Sequence, residues 1–173
     1  MSESQFDVAQ LSAMDQAAFV AALEGIFEHS PWIARRAWAQ RPYADRAGLL
    51  AALVAEMWAA TAAEQHALIA AHPELAGKAA VRGELTAEST SEQRGAGLDS
   101  CTPAEFARLQ ELNAAYRARF GIPFVVAVRG RDRAAILAAL EARLGNSVEA
   151  EVAEALRQIE RIAALRLENR VAP

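Results

Sequence analysis

His72 is the residue of this chain best suited to moving a proton. It stands in the run His72-Pro73-Glu74-Leu75-Ala76-Gly77-Lys78. A second polar run, Ser89-Thr90-Ser91-Glu92-Gln93, follows, and then Gly95, Gly97 and Asp99. The surrounding chain is mostly Ala, Leu and Val, so a histidine, a carboxylate, an amide and hydroxyls concentrated here stand out. Imidazole changes charge near neutral pH and suits a general acid or base. Pro73 biases the His72 backbone to the extended region, which fixes where the ring starts from. The competing reading is a solvent-facing histidine at a helix end.

Glu92 also has two readings. Ser89-x-x-Glu92 is a capping box as written, and a helix cap alone would explain both residues. The same helix start would leave N–H groups beside Gln93, able to take an anion or a carbonyl oxygen. The other histidines carry less. His66 reads as a partly buried helix-face residue. His29, in Glu28-His29-Ser30-Pro31-Trp32, reads as a turn residue, with Trp32 anchoring the next helix in the core.

Other chemistries find little support. No histidine follows a glutamate at the di-iron spacing, and no His-Glu-x-x-His occurs. Three scattered histidines and the single Cys101 do not make a structural zinc site, so no metal is expected. Gly95-Ala96-Gly97 lacks the third glycine of a dinucleotide fingerprint and follows no strand. No Gly-x-Ser-x-Gly is present.

The elements that must position these residues read as helices almost throughout. Ser12 with Asp15 reads as a capping box before Phe19, Leu23 and Ile26. Ser30-Pro31 starts a second helix, and Asp45 caps a third carrying Leu49, Leu53 and Met57. Thr61 with Glu64 opens another, which must end before Pro73. Residues 72–102 read as turns plus one short helix from near Ser89. Thr102-Pro103 with Glu105 starts a helix through Phe106, Leu109, Leu112, Asn113 and Tyr116, stopping at Gly121. Phe124-Val125-Val126-Ala127-Val128 is strand-like in composition but has no partner strand, so it reads as an extended buried connector. Asp132 caps a helix ending at Gly145, and Ser147 begins a last long one. The expectation is an all-α fold, one domain over residues 1–173 with about eight helices.

Composition sets bounds on the function. The chain has 173 residues, 53% hydrophobic and 23% charged, with a net charge of −4. It lacks the basic footprint of a nucleic-acid binder. No apolar run is long enough to span a membrane. The polar N-terminus Met1-Ser2-Glu3-Ser4-Gln5 has no leader pattern, and a single cysteine suits a reducing compartment, so the expectation is cytoplasmic.

Four blocks together resemble a known family. They are Phe27-Glu28-His29-Ser30-Pro31-Trp32; His72-Pro73-Glu74-Leu75-Ala76-Gly77; Ser89-Thr90-Ser91-Glu92-Gln93 leading to Ala96-Gly97-Leu98; and Leu112-Asn113-Ala114-Ala115-Tyr116 running into Phe120-Gly121-Ile122-Pro123-Phe124. The sequence resembles the decarboxylases of 2-oxo-4-hydroxy-4-carboxy-5-ureidoimidazoline (OHCU), which act in urate breakdown. The resemblance implies an all-helical, often dimeric enzyme without a cofactor, acting on a small ureidoimidazoline to give (S)-allantoin and CO2. It implies that His72 is the catalytic residue and that Glu92 belongs to a substrate-binding segment; from the substrate's chemistry, Glu92 is read as holding the substrate or orienting His72. It implies that Pro73, Ser89, Thr90, Ser91, Gln93 and the segment Phe124, Val125, Val126, Ala127, Val128 contact the substrate. Arg166 is the match to a C-terminal helix arginine of the family. Ile122 departs from the pattern, since a second aromatic is common there, and the eukaryotic peroxisomal tail is missing. The competing class is a non-enzymatic helical binding module, which would explain the caps and alanine-rich helices but not the polar cluster.

Overall fold

The computed structural model describes residues 5–173; Met1–Ser4 and most of the polar N-terminal run lie outside the described residues. The described residues carry ten α-helices, α1 to α10 in chain order, and no β-strand. One isolated parallel bridge joins Phe6 and Val171. The all-α expectation holds. The two helices beyond the expected eight are α1 (Val8–Ala13) and α6 (Lys78–Arg82). Both are too short to show a hydrophobic period.

The chain divides into two compact units, residues 1–68 with 160–173, and residues 69–159. The first contains α1, α2 (Gln16–Ala22), α3 (Trp32–Ala37), α4 (Arg46–Ala59), most of α5 (Ala62–Ala70) and the end of α10 (Val148–Arg170). Its core includes Leu11, Phe19, Ile33, Leu49, Leu53 and Met57, all fully buried. The first cap differs from expectation. Asp7 and Gln10 form a capping box on α1, and Asp15 itself caps α2 by accepting from Ala18 N at 2.8 Å. Ser12 lies inside α1, where its hydroxyl oxygen accepts from Tyr43 N at 3.1 Å. Trp32 is half-buried under the Arg36 guanidinium, 4.7 Å from the ring centroid, rather than a core anchor. No single described helix is long and apolar enough to cross a membrane.

The second unit contains the end of α5, then α6, α7 (Ala87–Gly95), α8 (Pro103–Phe120), α9 (Arg133–Arg143) and the start of α10. Its longest complete helix is α8. Thr102 and Glu105 form the expected capping box, with Glu105 N to Thr102 Oγ1 at 3.2 Å and Thr102 N to Glu105 Oε2 at 2.9 Å. Pro103 occupies the first turn, where its missing N–H costs nothing. Gly121, at φ 69°, closes the helix in the left-handed conformation that favours glycine. The buried stripe Leu109, Leu112, Asn113, Tyr116 and Phe120 faces the interior, and α8 packs against α9. One member of that stripe, Asn113, is polar.

Because α8 depends on this cap for its first turn, Thr102→Ala is expected to lower stability by about 1 kcal/mol. Urea unfolding followed by circular dichroism measures this as a lower midpoint at unchanged slope.

Candidate active site

The His72 turn begins where α5 stops. His72 N donates to Ile69 O at 3.1 Å, and Pro73 prevents the helix from continuing. His72 is 7% exposed, so the solvent-facing reading is excluded. Leu75, Ala76 and Gly77 are buried after it. Gly77 finds backbone partners, its N–H donating to Glu74 O at 3.2 Å and its C=O accepting from Val81 N at 3.1 Å. Three side-chain amides serve the non-helical backbone of Leu75 and Ala76. Ala76 N donates to Gln93 Oε1 at 2.9 Å. Gln110 Nε2 donates to Ala76 O at 2.8 Å. Asn113 Nδ2 donates to Leu75 O at 3.0 Å.

This grip holds Ala76 at φ 49°, a left-handed conformation uncommon for a residue with a side chain. Glycine is required next. A Cβ at Gly77 would lie 2.8 Å from Glu74 Cβ and 3.1 Å from Glu74 O. Glu74 in turn pairs with Arg117 of α8 at 2.7 Å. The turn carrying His72 is thus fixed by side chains from α7 and α8.

Helix α7 starts earlier than the sequence reading had it. Thr86 is the N-cap, and its hydroxyl accepts from Ser89 N at 3.2 Å. Ser89 is therefore inside the helix, and Ser89-x-x-Glu92 does not act as a capping box. The helix has a buried face with Ser89 and Gln93, continued by its C-cap Ala96, and Glu92 beside it is half-buried. Thr90 directs its hydroxyl to Thr86 O at 2.8 Å, and Ser91 is exposed. The five residues of the polar run therefore do not share one surface: Ser89, Glu92 and Gln93 lie on or beside the buried face, and Ser91 lies away from it.

Residues 124–128 are neither helix nor turn, and every one is buried. Arg143 Nη1 donates to Val125 O at 2.7 Å, and Ala127 N donates to Gln158 Oε1 at 3.0 Å. The Phe124 ring meets Tyr116 edge-on at 5.4 Å between centroids, and the Arg143 guanidinium lies 4.5 Å from its centre. Behind Arg143 is Glu151, fully buried, at 2.9 Å. Glu151 also accepts from Asn146 Nδ2 at 2.8 Å and from the Tyr116 hydroxyl. Burial first, then the Glu151 hydrogen bond, push the Tyr116 phenol well above its usual value, so it remains a donor.

Arg166 belongs to the other unit. It is 5% exposed, and its Nη1 lies 2.8 Å from both Glu28 Oε2 and Gly25 O. A buried ion pair of this kind is costly to break by removing one partner. His66 is exposed, contrary to the half-buried reading, and His29 is exposed at φ 45° in its turn. Among the described residues no three His, Cys, Asp or Glu side chains converge as a metal site would require.

Several supporting residues escaped sequence reasoning. Asn113, Gln110, Gln158 and Glu28 were read as parts of helices or motif blocks without a role. The available signal was a polar residue on an apolar stripe, Asn113 on α8 and Gln158 on α10.

The fold and this geometry define a class: an all-α protein with a buried histidine on a side-chain-clamped turn, beside a helix bearing a carboxylate and an amide. Comparison with known proteins gives the family. The OHCU decarboxylase family model matches residues 12–168. The chain belongs to the OHCU decarboxylase family. It is 38% identical over 170 residues to the 2-oxo-4-hydroxy-4-carboxy-5-ureidoimidazoline decarboxylase of Halalkalicoccus jeotgali, covering 98% of this chain and 94% of that protein. It is 42% identical over 161 residues to a human protein named as a putative decarboxylase of the same compound, covering 93% of each. Among solved structures, (S)-allantoin synthase superposes with a TM-score of 0.75 at 30% identity. That match covers 96% of this chain and 54% of the synthase chain, so this chain spans about half of it.

Replacing Asn113 by Leu keeps the branched outline of the side chain but leaves the buried Leu75 carbonyl without its donor. Stability is expected to fall by about 1–3 kcal/mol, read from urea unfolding. The circular-dichroism spectrum of the folded protein should keep its helical form.

Proposed function

We propose that this protein is a carboxy-lyase that removes CO2 from OHCU to give (S)-allantoin in urate degradation. The observation that carries the proposal is the buried His72 on its clamped turn, tied through Gln93 to the helix that bears Glu92. Family membership supplies the substrate.

The substrate's own chemistry removes the need for a cofactor. Its carboxylate sits on a ring carbon that also bears a hydroxyl, next to a ring carbon doubly bonded to nitrogen. When the bond to the carboxylate breaks, its electron pair moves into that C=N, and the nitrogen takes a proton. The hydroxyl then loses its proton and becomes a carbonyl. The carbon bearing the ureido group takes a proton on one face, which fixes the (S) configuration. CO2 leaves; two protons are taken up and one is released, so the reaction draws one proton from solvent in place of the carboxylate that is lost.

The protein must hold the carboxylate so that the breaking bond overlaps the C=N, and must move these protons. His72 is the proposed shuttle for the hydroxyl proton. Glu92 holds the substrate or orients His72. Removing the capping box supports this reading, because Glu92 has no cap duty at Ser89 to account for it. The buried non-helical segment 124–128 supports a substrate-facing role for its backbone.

The direct experiment mixes freshly prepared OHCU with micromolar protein and follows ultraviolet absorbance and circular dichroism. Faster decay with an optical signal of one sign supports the enzyme; unchanged decay defeats it. His72→Ala is expected to slow turnover by roughly 10²- to 10⁴-fold while the protein stays folded. Near-wild-type turnover would remove His72 from the mechanism. Glu92→Gln is expected to be folded by circular dichroism and slow. Lost stability with retained activity would return Glu92 to a structural role.

A further inference from the structure

The second unit holds a cavity of about 540 Å³ that the proposed chemistry does not use. It lies between α6, α7, the turn that follows α7 and the first turn of α8. Neither His72, Glu92 nor residues 124–128 line it. Ala80, Val81, Leu85, Leu98 and Phe106 make it mostly apolar. Val81 is 70% exposed and Phe106 38%, so apolar side chains stand where the cavity meets solvent. Its size and lining are those of a small-molecule site.

One polar group in the wall has no protein partner. Gln93 is 6% exposed and lines the cavity. Its Oε1 accepts from Ala76 N, and its Nε2 donates to no described residue. A flipped amide would set its NH2 against the Ala76 N–H, so Nε2 is the end left over. The other polar side chains of the wall are engaged. Thr90 Oγ1 donates to Thr86 O at 2.8 Å, and Cys101 Sγ to Leu98 O at 3.4 Å. Arg94 lies 3.6 Å from Asp99 at the exposed rim, and these opposite charges leave the cavity without a net one. A buried amide donor is costly to leave unpaired, so this one points to an acceptor brought by a ligand. The matching ligand is uncharged, with an apolar body and a carbonyl.

Whatever enters this cavity also meets the His72 turn. Ala76 is part of the wall, and the Gln93 amide holds the Ala76 N–H with one end while its other end is left for the ligand. Ala76 is already at φ 49°, so its backbone has little slack to absorb a change. We propose that this cavity is a second binding site, for a small uncharged molecule with an apolar body and a carbonyl that accepts from Gln93 Nε2, and that filling it is felt at His72 through Gln93 and Ala76. Two sites joined by a shared side chain are coupled in both directions.

The test titrates the full chain with acetophenone, and separately with ethylbenzene, which lacks the carbonyl, and follows binding by NMR. Acetophenone should bind with a dissociation constant on the order of a millimolar. It should shift the His72 ring signals and leave those of the exposed His29 and His66 in place. Ala80→Phe fills the cavity from α6 and should abolish both effects. In Gln93→Met the preference for acetophenone over ethylbenzene should fall about tenfold. Lost stability alone would weaken both probes alike and leave that ratio unchanged. The proposal is overturned if acetophenone does not bind, or if the His72 signals stay fixed at saturation. It is equally overturned if Ala80→Phe, folded by circular dichroism, binds acetophenone as wild type does, or if Gln93→Met keeps the wild-type ratio. A dimer seen by sedimentation that Ala80→Phe dissociates would assign the cavity to a contact between copies and overturn it too. None of these readouts uses OHCU, so their outcome is separate from that of the decarboxylase reading.

Discussion

Buried non-helical backbone is the constraint on which the second unit depends. A helix satisfies its own amides; a turn or an extended run inside a protein does not. This unit buries two such stretches, residues 75–77 and 124–128, and meets their needs with side chains from helices. Gln93, Gln110 and Asn113 serve the first, and Arg143 and Gln158 serve the second. Each of these long polar side chains sits on a helix that is itself anchored by caps or by packing. The precision of the site is inherited from rigid helices by way of amide and guanidinium hydrogen bonds.

The same constraint connects stability to chemistry. A histidine on a free loop could sample many positions, and a proton transfer needs its partners within hydrogen-bond reach. His72 is held because the turn after it is held: Pro73 blocks the helix, Gly77 permits the close approach to Glu74, and three amides lock the carbonyls and N–H between. The arrangement also places a cost on change, since losing one clamp leaves a buried group unpaired. Substitutions well away from His72 can therefore act on it through the turn.

Much of the fold was legible locally. The Thr61–Glu64 and Thr102–Glu105 boxes, the Asp45 and Asp132 caps and the Gly121 stop lie where sequence reading puts them. These signals are short-range, so a few adjacent residues decide them. The errors came where two candidate caps compete. Thr86 and Ser89 both precede the same helix, and Thr86 takes the cap, which draws Ser89 into the helix interior. Likewise Asp15, not Ser12, caps α2. A pattern of polar residues cannot choose between caps spaced one turn apart, because each offers a side-chain oxygen to an N–H three residues further on.

The sequence by itself determined the all-helical class, most helix ends, and His72 with Glu92 as the residues to consider. Spacing and capping chemistry are written in neighbouring residues, and so was the resemblance to the family. Only the tertiary structure decided which polar residues face inward together, that Ser91 does not, and that Gln110, Asn113, Arg143 and Gln158 support the site. Those contacts join residues 18 to 38 positions apart. They depend on where helices pack, and that is set by the burial of whole apolar faces and not by any local pattern.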